Sequence, residues 1–185
     1  MRTPTFSFTT LPLYLLFFFF SFNAITAKNL IPETCKKFAQ YDPNLSYNFC
    51  VTSLQAAPKS QRADLHKLGI ISIKLIRNNA TDTRHYIKHL LKNKKLDPYV
   101  RAYLGDCLEL YSDAIPTIKK ALMNYKAKKY NDANIEVSSV IDASITCEDG
   151  FKQGRLVSPL TKRNNYTFQL SIIALSFINL HNSLN

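Results

Sequence analysis

Glycine is scarce in this sequence, and its scarcity removes several classes of enzyme. The chain has four glycines in 185 residues, and their spacing forms none of the P-loop, G-x-G-x-x-G or G-x-S-x-G motifs. No H-E-x-x-H is present, and His85 with His89 would supply only two metal ligands from one helix face. Glu148 and Asp149 are sequence neighbours, which do not face each other on a helix as a catalytic acid pair must. The sequence therefore favours a binding protein that is not an enzyme and has no cofactor or metal.

Acidic residues are also few. The chain carries 13 Asp and Glu against 24 Lys and Arg, a formal net charge of +11. A basic surface favours anionic partners such as acidic polysaccharides, acidic proteins, anionic lipids or nucleic acid. No nucleic-acid-binding motif accompanies the charge, so we expect no nucleic-acid partner.

A long hydrophobic run occurs at one place, near the N-terminus. Residues 1–10 carry Arg2 and no acid, residues 11–22 are a mostly apolar run of 12, and residues 24–27 supply small side chains. This order is typical of a secretory signal peptide, and the run is shorter than the roughly 20 residues of a membrane span. We predict a signal peptide at 1–27, a mature chain at 28–185 without a membrane anchor, and secretion to the apoplast or cell wall. The vacuole is the alternative.

Four cysteines follow the predicted signal peptide: Cys35, Cys50, Cys107 and Cys147. An even number in a secreted chain indicates two disulfides, for which three pairings exist. We favour Cys35–Cys50 and Cys107–Cys147, because each bond then joins adjacent segments. A zinc site is the weaker alternative, since the sequence has no C-x-x-C.

The segment 100–151 organises the rest of the chain. Its two halves, 100–125 and 133–151, each repeat apolar residues at the spacing of one helix face, and each face holds a cysteine. Residues 126–132 between them are polar and basic. The pattern predicts two antiparallel helices stapled by Cys107 and Cys147, with an exposed basic tip.

Further helices are predicted on both sides of this hairpin. Residues 31–40 and 45–57 read as two short helices, and residues 60–96 as one long helix capped by Ser60. Asp97-Pro98 marks a new helix start, residues 150–157 a loop, and Ser158-Pro159 another start. The last helix should bury a heptad seam formed by Tyr166, Leu170, Ile173, Phe177, Leu180 and Leu184.

No alternating strand pattern is present in the sequence, so the predicted fold class is all-α. We predict a four-helix up-and-down bundle over residues 60–185, preceded by an N-terminal helical hairpin over residues 28–58. Three sequons, at Asn44, Asn79 and Asn165, are candidate N-glycosylation sites, and we expect one or two of them to be used.

Three segments resemble a known family. The four-cysteine framework, residues 106–114 (DCLELYSDA) and residues 147–151 (CEDGF) look like the plant invertase and pectin methylesterase inhibitors. Residues 157–165 (VSPLTKRNN) resemble its subgroup of invertase inhibitors that includes pollen allergens. The resemblance implies a four-helix bundle with an N-terminal hairpin, disulfides from first to second and third to fourth cysteine, and inhibition of a carbohydrate enzyme by tight binding.

The resemblance also implies a binding site. Known invertase inhibitors insert a Pro-Lys-Phe motif into the enzyme's cleft, and the corresponding place here is Lys128-Lys129-Tyr130. Lys129 and Tyr130 match the Lys and aromatic positions, and Lys128 replaces the Pro. A lysine held at the tip could face the carboxylates of a glycosidase cleft, and the aromatic could fill a sugar subsite. We therefore expect substitutions of either residue to weaken binding without disturbing the fold.

The expected partner is an acid invertase (beta-fructofuranosidase), bound by a monomeric inhibitor. Pectin methylesterase of the cell wall is the alternative, because the residues at the tip are also compatible with that branch of the family. A basic polysaccharide- or lipid-binding module without inhibitory activity is a further alternative.

Overall fold

The computed structural model describes residues 29–184, so the predicted signal peptide lies outside the described residues. Six α-helices follow one another, with one short 3₁₀-helix at Ser60–Arg62 between the second and the third. They are α1 (Ile31–Tyr41), α2 (Tyr47–Gln55), α3 (Leu65–Leu91), α4 (Pro98–Lys126), α5 (Tyr130–Gln153) and α6 (Thr161–Asn182). Residues 29–184 contain no strand, so the all-α prediction is confirmed.

Helices α3 to α6 form the bundle. Each packs against the next along the chain, and α6 closes the ring against α3. Short connections make consecutive helices antiparallel, as expected of an up-and-down bundle. One end therefore gathers the start of α3, the α4–α5 connection and the end of α6, and the opposite end gathers the other two connections.

Helices α1 and α2 form the N-terminal hairpin, which lies against α6. The Cys35–Cys50 disulfide joins its two helices, with Cα atoms 5.7 Å apart. The ring of Phe38 meets the ring of Phe177 edge to face at 4.9 Å between centroids. Gln169 of α6 accepts a hydrogen bond from the backbone N–H of Ser46 at 2.9 Å. The hairpin therefore extends the core of the bundle over the outer side of its last helix.

Both predicted disulfides are present. Cys107 of α4 and Cys147 of α5 are bonded across 40 residues of chain, with Cα atoms 5.0 Å apart. The described part of the chain contains no free cysteine. The favoured pairing is thus confirmed, and the staple holds two antiparallel helices at one level.

Several predicted helix ends were wrong by a few residues. Asp64, not Ser60, caps α3, because its carboxylate accepts the N–H of Lys67 at 2.7 Å. Helix α3 ends at Leu91, α5 continues to Gln153, and α6 begins at Thr161. The prediction for Asp97 was right: its carboxylate caps α4 by accepting the N–H groups of Tyr99 and Val100.

The heptad seam predicted for α6 was only partly right. Tyr166 is 39% exposed and Leu184 is 71% exposed, so the seam's two ends face solvent. The helix is instead buried on most of its circumference, because α3, α5 and the N-terminal hairpin cover it from different sides. Its buried residues are Asn164, Thr167, Gln169, Leu170, Ser171, Ile172, Ile173, Ala174, Phe177 and Ile178.

A polar network crosses the core of the bundle. The hydroxyl of Tyr111 on α4 donates to the Asn164 Oδ1 on α6 at 2.8 Å and lies 3.0 Å from the Thr167 hydroxyl. Thr167 in turn donates to the Asn79 Oδ1 on α3 at 2.7 Å. Burial raises the pKa of Tyr111 to about 12, so the hydroxyl stays a donor at all physiological pH values.

The same network reaches α5 through Asn164. Its Nδ2 lies 3.4 Å from the Cys147 sulfur and donates to the Glu148 carboxylate at 2.7 Å. The other oxygen of Glu148 accepts from the Thr161 hydroxyl at 2.6 Å. Directional bonds thus connect all four bundle helices beside the Cys107–Cys147 disulfide.

In the part of the chain that the structure describes, no helix is long and apolar enough to span a membrane.

The network yields a stability prediction. Replacing Tyr111 with Phe removes the donor to Asn164 while keeping the ring, so we expect a loss of about 1–3 kcal/mol in the free energy of unfolding. Urea denaturation measures it. Tyr99→Phe is the matched control, because Tyr99 is 72% exposed and should change stability by less than about 0.5 kcal/mol. Equal effects of the two substitutions would contradict the role of the network.

Candidate functional site

The candidate site is the tip, the connection of residues 127–129 between α4 and α5. The N–H of Lys129 bonds to the Asn124 carbonyl at 2.9 Å, and the N–H of Lys128 bonds to the Tyr125 carbonyl at 3.0 Å. These two bonds form a Schellman motif, the closure that usually places a glycine in the left-handed conformation after a helix. Lys128 occupies that position with φ of 59°. The tip is therefore a short, hydrogen-bonded turn.

The lysines of the tip face solvent. Lys126, Lys128 and Lys129 are all exposed, and no ion pair holds any of them among residues 29–184. Lys129 stands at the position before the first residue of α5 and uses no side-chain atom to cap that helix. The expected exposure of Lys128 and Lys129 is thus observed, and their contact with an enzyme stays a prediction.

The prediction that Tyr130 is exposed at the tip was wrong. It is 5% exposed, so its side chain belongs to the core and does not stand beside Lys129 on the surface. Tyr130 opens α5, and its ring lies 5.4 Å from the ring of Tyr125 and 5.5 Å from that of His181. We therefore expect its replacement by Ala to disturb the fold, contrary to the expectation from the sequence.

An aromatic cluster of His66, Tyr125, Tyr130 and His181 lies beneath the tip. His66 of α3 stacks on Tyr125 with ring centroids 4.9 Å apart and 9° between planes. The Tyr125 hydroxyl lies 3.2 Å from His181 Nδ1. Tyr125 reaches this place because Gly69 has no side chain: a Cβ there would lie 1.9 Å from the hydroxyl oxygen. Helices α3, α4, α5 and α6 thus meet directly beneath the basic turn.

The surroundings of His66 in this cluster disfavour a positive charge on its ring. Burial, followed by the charge of His181, holds the pKa of His66 below its ordinary value, and Lys128 acts in the same direction. His66, Tyr125 and His181 were not singled out from the sequence. A usable signal existed, because each lies within a few residues of a helix end that the up-and-down topology brings to this side.

A second surface is an apolar groove between the N-terminal hairpin and helices α5 and α6. Its apolar lining includes Phe38, Ile141, Phe168, Ile172, Leu175 and Leu180. Within residues 29–184, no three acidic, histidine or cysteine side chains are grouped so that they could hold a metal. The basic tip is the feature at the sequence-predicted site that could bind an anionic partner.

Comparison with known proteins places the chain in a family. The family model of the plant invertase/pectin methylesterase inhibitors matches residues 29–177. The chain belongs to this family. The match includes both disulfides and all of the bundle except the last turns of α6, so the resemblance seen in the sequence is confirmed.

Relatives carry the names of both branches of the family. A protein of Platanus acerifolia named "Putative invertase inhibitor" is 43% identical over 159 residues, covering 85% of this chain and 88% of that protein. "Pectinesterase inhibitor 12" of Arabidopsis thaliana is 36% identical over 156 residues, covering 84% and 89%. The crystal structure of a pectin methylesterase inhibitor from Arabidopsis thaliana matches with a TM-score of 0.60 at 22% identity, over 85% and 97% of the two chains, which shows a shared fold.

The backbone explains one departure from the invertase-inhibitor motif. Proline fixes φ near −65° and has no N–H, whereas Lys128 has φ of 59° and donates its N–H to Tyr125. A proline at position 128 would therefore require a differently built connection. The family resemblance at residues 128–130 concerns the lysine and the aromatic only, and the aromatic is buried here.

The three sequons occupy different environments. Asn44 is exposed in the connection between α1 and α2, and Asn165 is exposed on α6. Asn79 is half-buried within α3, and its side-chain oxygen accepts the bond from the fully buried Thr167. The fold therefore leaves room around two of the three candidate asparagines.

The left-handed turn yields a second prediction. An L-residue in this conformation costs about 1–2 kcal/mol, so Lys128→Gly should raise the free energy of unfolding by up to about 1 kcal/mol. Lys119→Gly is the control: it removes the same charge but places glycine in the interior of α4 at an exposed position, where it should destabilise by about 0.5–1 kcal/mol. Thermal unfolding of both variants measures this. A loss of stability in Lys128→Gly would show that the turn is not left-handed in solution.

Proposed function

We propose that this protein is a secreted inhibitor of a plant acid invertase and that the tip enters the enzyme's cleft. The observation that carries the proposal is the combination of 43% identity to a relative named "Putative invertase inhibitor" with an exposed Lys129 at the tip, which forms no ion pair within residues 29–184. Family membership supports a binding protein over an enzyme.

The physics of the tip supports cleft binding. A glycosidase cleft contains carboxylates, and the positive charge of Lys129 complements them. Because the Schellman bonds and the aromatic cluster already order the turn, little backbone entropy is lost when it is immobilised in a complex. Tyr130 contributes from below, by anchoring the first turn of α5, and Lys128 adds a second charge.

Inhibition of acid invertase is the test of this proposal. Lys129→Ala should weaken inhibition by about 2 kcal/mol or more, roughly a thirtyfold rise in the inhibition constant, because a central contact is lost. The control is Lys74→Ala, an exposed lysine on α3 outside the tip, which should leave inhibition within a factor of about two. Tyr130→Ala is unsuitable, since truncating a buried aromatic costs about 3–5 kcal/mol of stability.

The outcome also decides between surfaces. If Lys129→Ala and a Lys128→Ala, Lys129→Ala double variant both inhibit as well as the wild type, the tip is only a connection and the contact lies elsewhere on the bundle. Inhibition that weakens as salt is added would agree with a charge-assisted contact, because salt screens exposed charges.

Pectin methylesterase is the second candidate target. The observation in its favour is the left-handed Lys128, which is incompatible with the proline of the invertase-inhibitor motif. A relative named "Pectinesterase inhibitor 12" shares 36% identity with the chain. Parallel assays against both enzymes at the acidic pH of the cell wall distinguish the two targets. Strong inhibition of pectin methylesterase without an effect on invertase would reverse the assignment.

We also propose N-linked glycans at Asn44 and Asn165 and none at Asn79. The first two side chains are exposed, whereas a glycan on Asn79 would have to emerge from between α3 and α6. Expression in plant secretory cells, followed by glycopeptide mass spectrometry, gives the occupancy of each sequon. Asn44→Gln and Asn165→Gln should each remove one glycan mass, and Asn79→Gln none. A glycan found on Asn79 would contradict the packing of α3 on α6.

A further inference from the structure

The end of the bundle opposite the tip carries the densest group of exposed cations that the function above does not use. Lys88 and Lys92 lie four residues apart at the end of α3, and Lys94 and Lys95 follow in the connection to α4. All four are exposed, and none forms an ion pair within residues 29–184. We call these four residues the lysine platform.

The platform is held in a defined shape. Arg101 of α4 donates from its two terminal nitrogens to the carbonyls of Leu91 and Asn93, at 2.9 and 2.6 Å. The Asn93 side chain accepts the N–H of Lys95 at 3.0 Å. The connection is therefore fixed to the first turn of α4, and the lysine stems project from an ordered backbone.

Two carboxylates near the platform, those of Asp97 and Glu148, accept hydrogen bonds from groups outside it. The carboxylate of Asp97, the one acid between positions 83 and 105, caps α4 by accepting the N–H groups of Tyr99 and Val100. Glu148, close to the start of α6, bonds to Thr161 and Asn164. Between positions 83 and 105, the four platform lysines therefore share one carboxylate, which already accepts two backbone N–H groups.

The side chains of the platform favour carboxylates over phosphates and lipids. Arginine is the better partner for phosphate, but Arg101 is bound to backbone carbonyls and Arg163 lies 4.3 Å over the Tyr86 ring. Arg155 is exposed in the α5–α6 connection, so the exposed cations of the α3–α4 connection are lysines. Peripheral binding to a membrane is strengthened by apolar side chains that enter the lipid, whereas in this stretch one large hydrophobic residue, Tyr99, is strongly exposed. A single flat aromatic beside lysines suits a sugar ring that carries a carboxylate.

We propose that the lysine platform binds an acidic polysaccharide, a polymer of uronic acid sugars, with the lysines facing its carboxylates and Tyr99 stacking on a sugar ring. Helix α3 has 27 residues, so the platform lies about 40 Å from the tip. The protein could then be retained on such a polymer while the tip holds an enzyme. This proposal is independent of which enzyme the tip binds.

Affinity chromatography and binding to polygalacturonate test the proposal with the full mature chain. A variant with Lys88, Lys92, Lys94 and Lys95 all changed to Gln should bind at least about tenfold more weakly at low salt, because four facing charges are lost. The control changes Lys36, Lys37, Lys59 and Lys74 to Gln, which removes the same charge from other exposed positions and should retain most of the binding. Tyr99→Ala should weaken binding severalfold with the net charge unchanged.

Three results would overturn the proposal. The control variant could lose as much affinity as the platform variant, in which case net charge alone is responsible. Fully methyl-esterified pectin could bind as well as polygalacturonate, which would exclude the carboxylates. Phosphatidylserine vesicles could bind more tightly than polygalacturonate through the same four lysines, which would assign the surface to membranes. Inhibition by the tip should be equal in all these variants, so failure here is separable from failure of the proposed inhibition.

Discussion

The Tyr111 hydroxyl and its partners fix how the four bundle helices stand relative to one another. Apolar faces alone would allow a helix to slide or rotate slightly with little loss, whereas a buried hydroxyl must meet its acceptor within a few tenths of an ångström. Asn79, Asn164 and Thr167 complete this network next to the Cys107–Cys147 disulfide. Both ends of the bundle inherit their geometry from this central level.

Helices α4 and α5 end in the same closure, and a basic residue occupies the left-handed position of each. At the tip, Lys128 adopts the left-handed position of a Schellman motif, and Arg155 adopts the same position after α5, with φ of 56°. Glycine would adopt the left-handed conformation at both positions with a lower conformational energy. A basic residue there aims a cation outward from the helix end, where it also complements the negative end of the helix dipole. Part of the protein's positive charge is thereby placed at its two ends.

The burial of Tyr130 shows how a site can be misjudged at a helix boundary. Because Lys128, Lys129 and Asn131 surround it in the sequence, Tyr130 was predicted to lie in an exposed connection. Yet Tyr130, Ala133 and Val137 are spaced i, i+3, i+7, the stripe that α5 turns toward the core. Extending the periodicity back by one turn would have identified it. Lys129 lies four residues before Ala133, on the same helix face, but it precedes the first residue of α5 and its side chain is exposed.

The sequence by itself determined the features that depend on neighbouring residues. Helical periodicity gave the all-α class, Asp97-Pro98 gave the start of α4, and four cysteines left three pairings, of which the one joining adjacent segments is present. Only the tertiary structure decided which polar residues are buried, why α6 is covered on most sides, and that Lys128 is left-handed. The physical reason is that a periodic stripe reports one packing face, whereas burial depends on every element that later surrounds the helix.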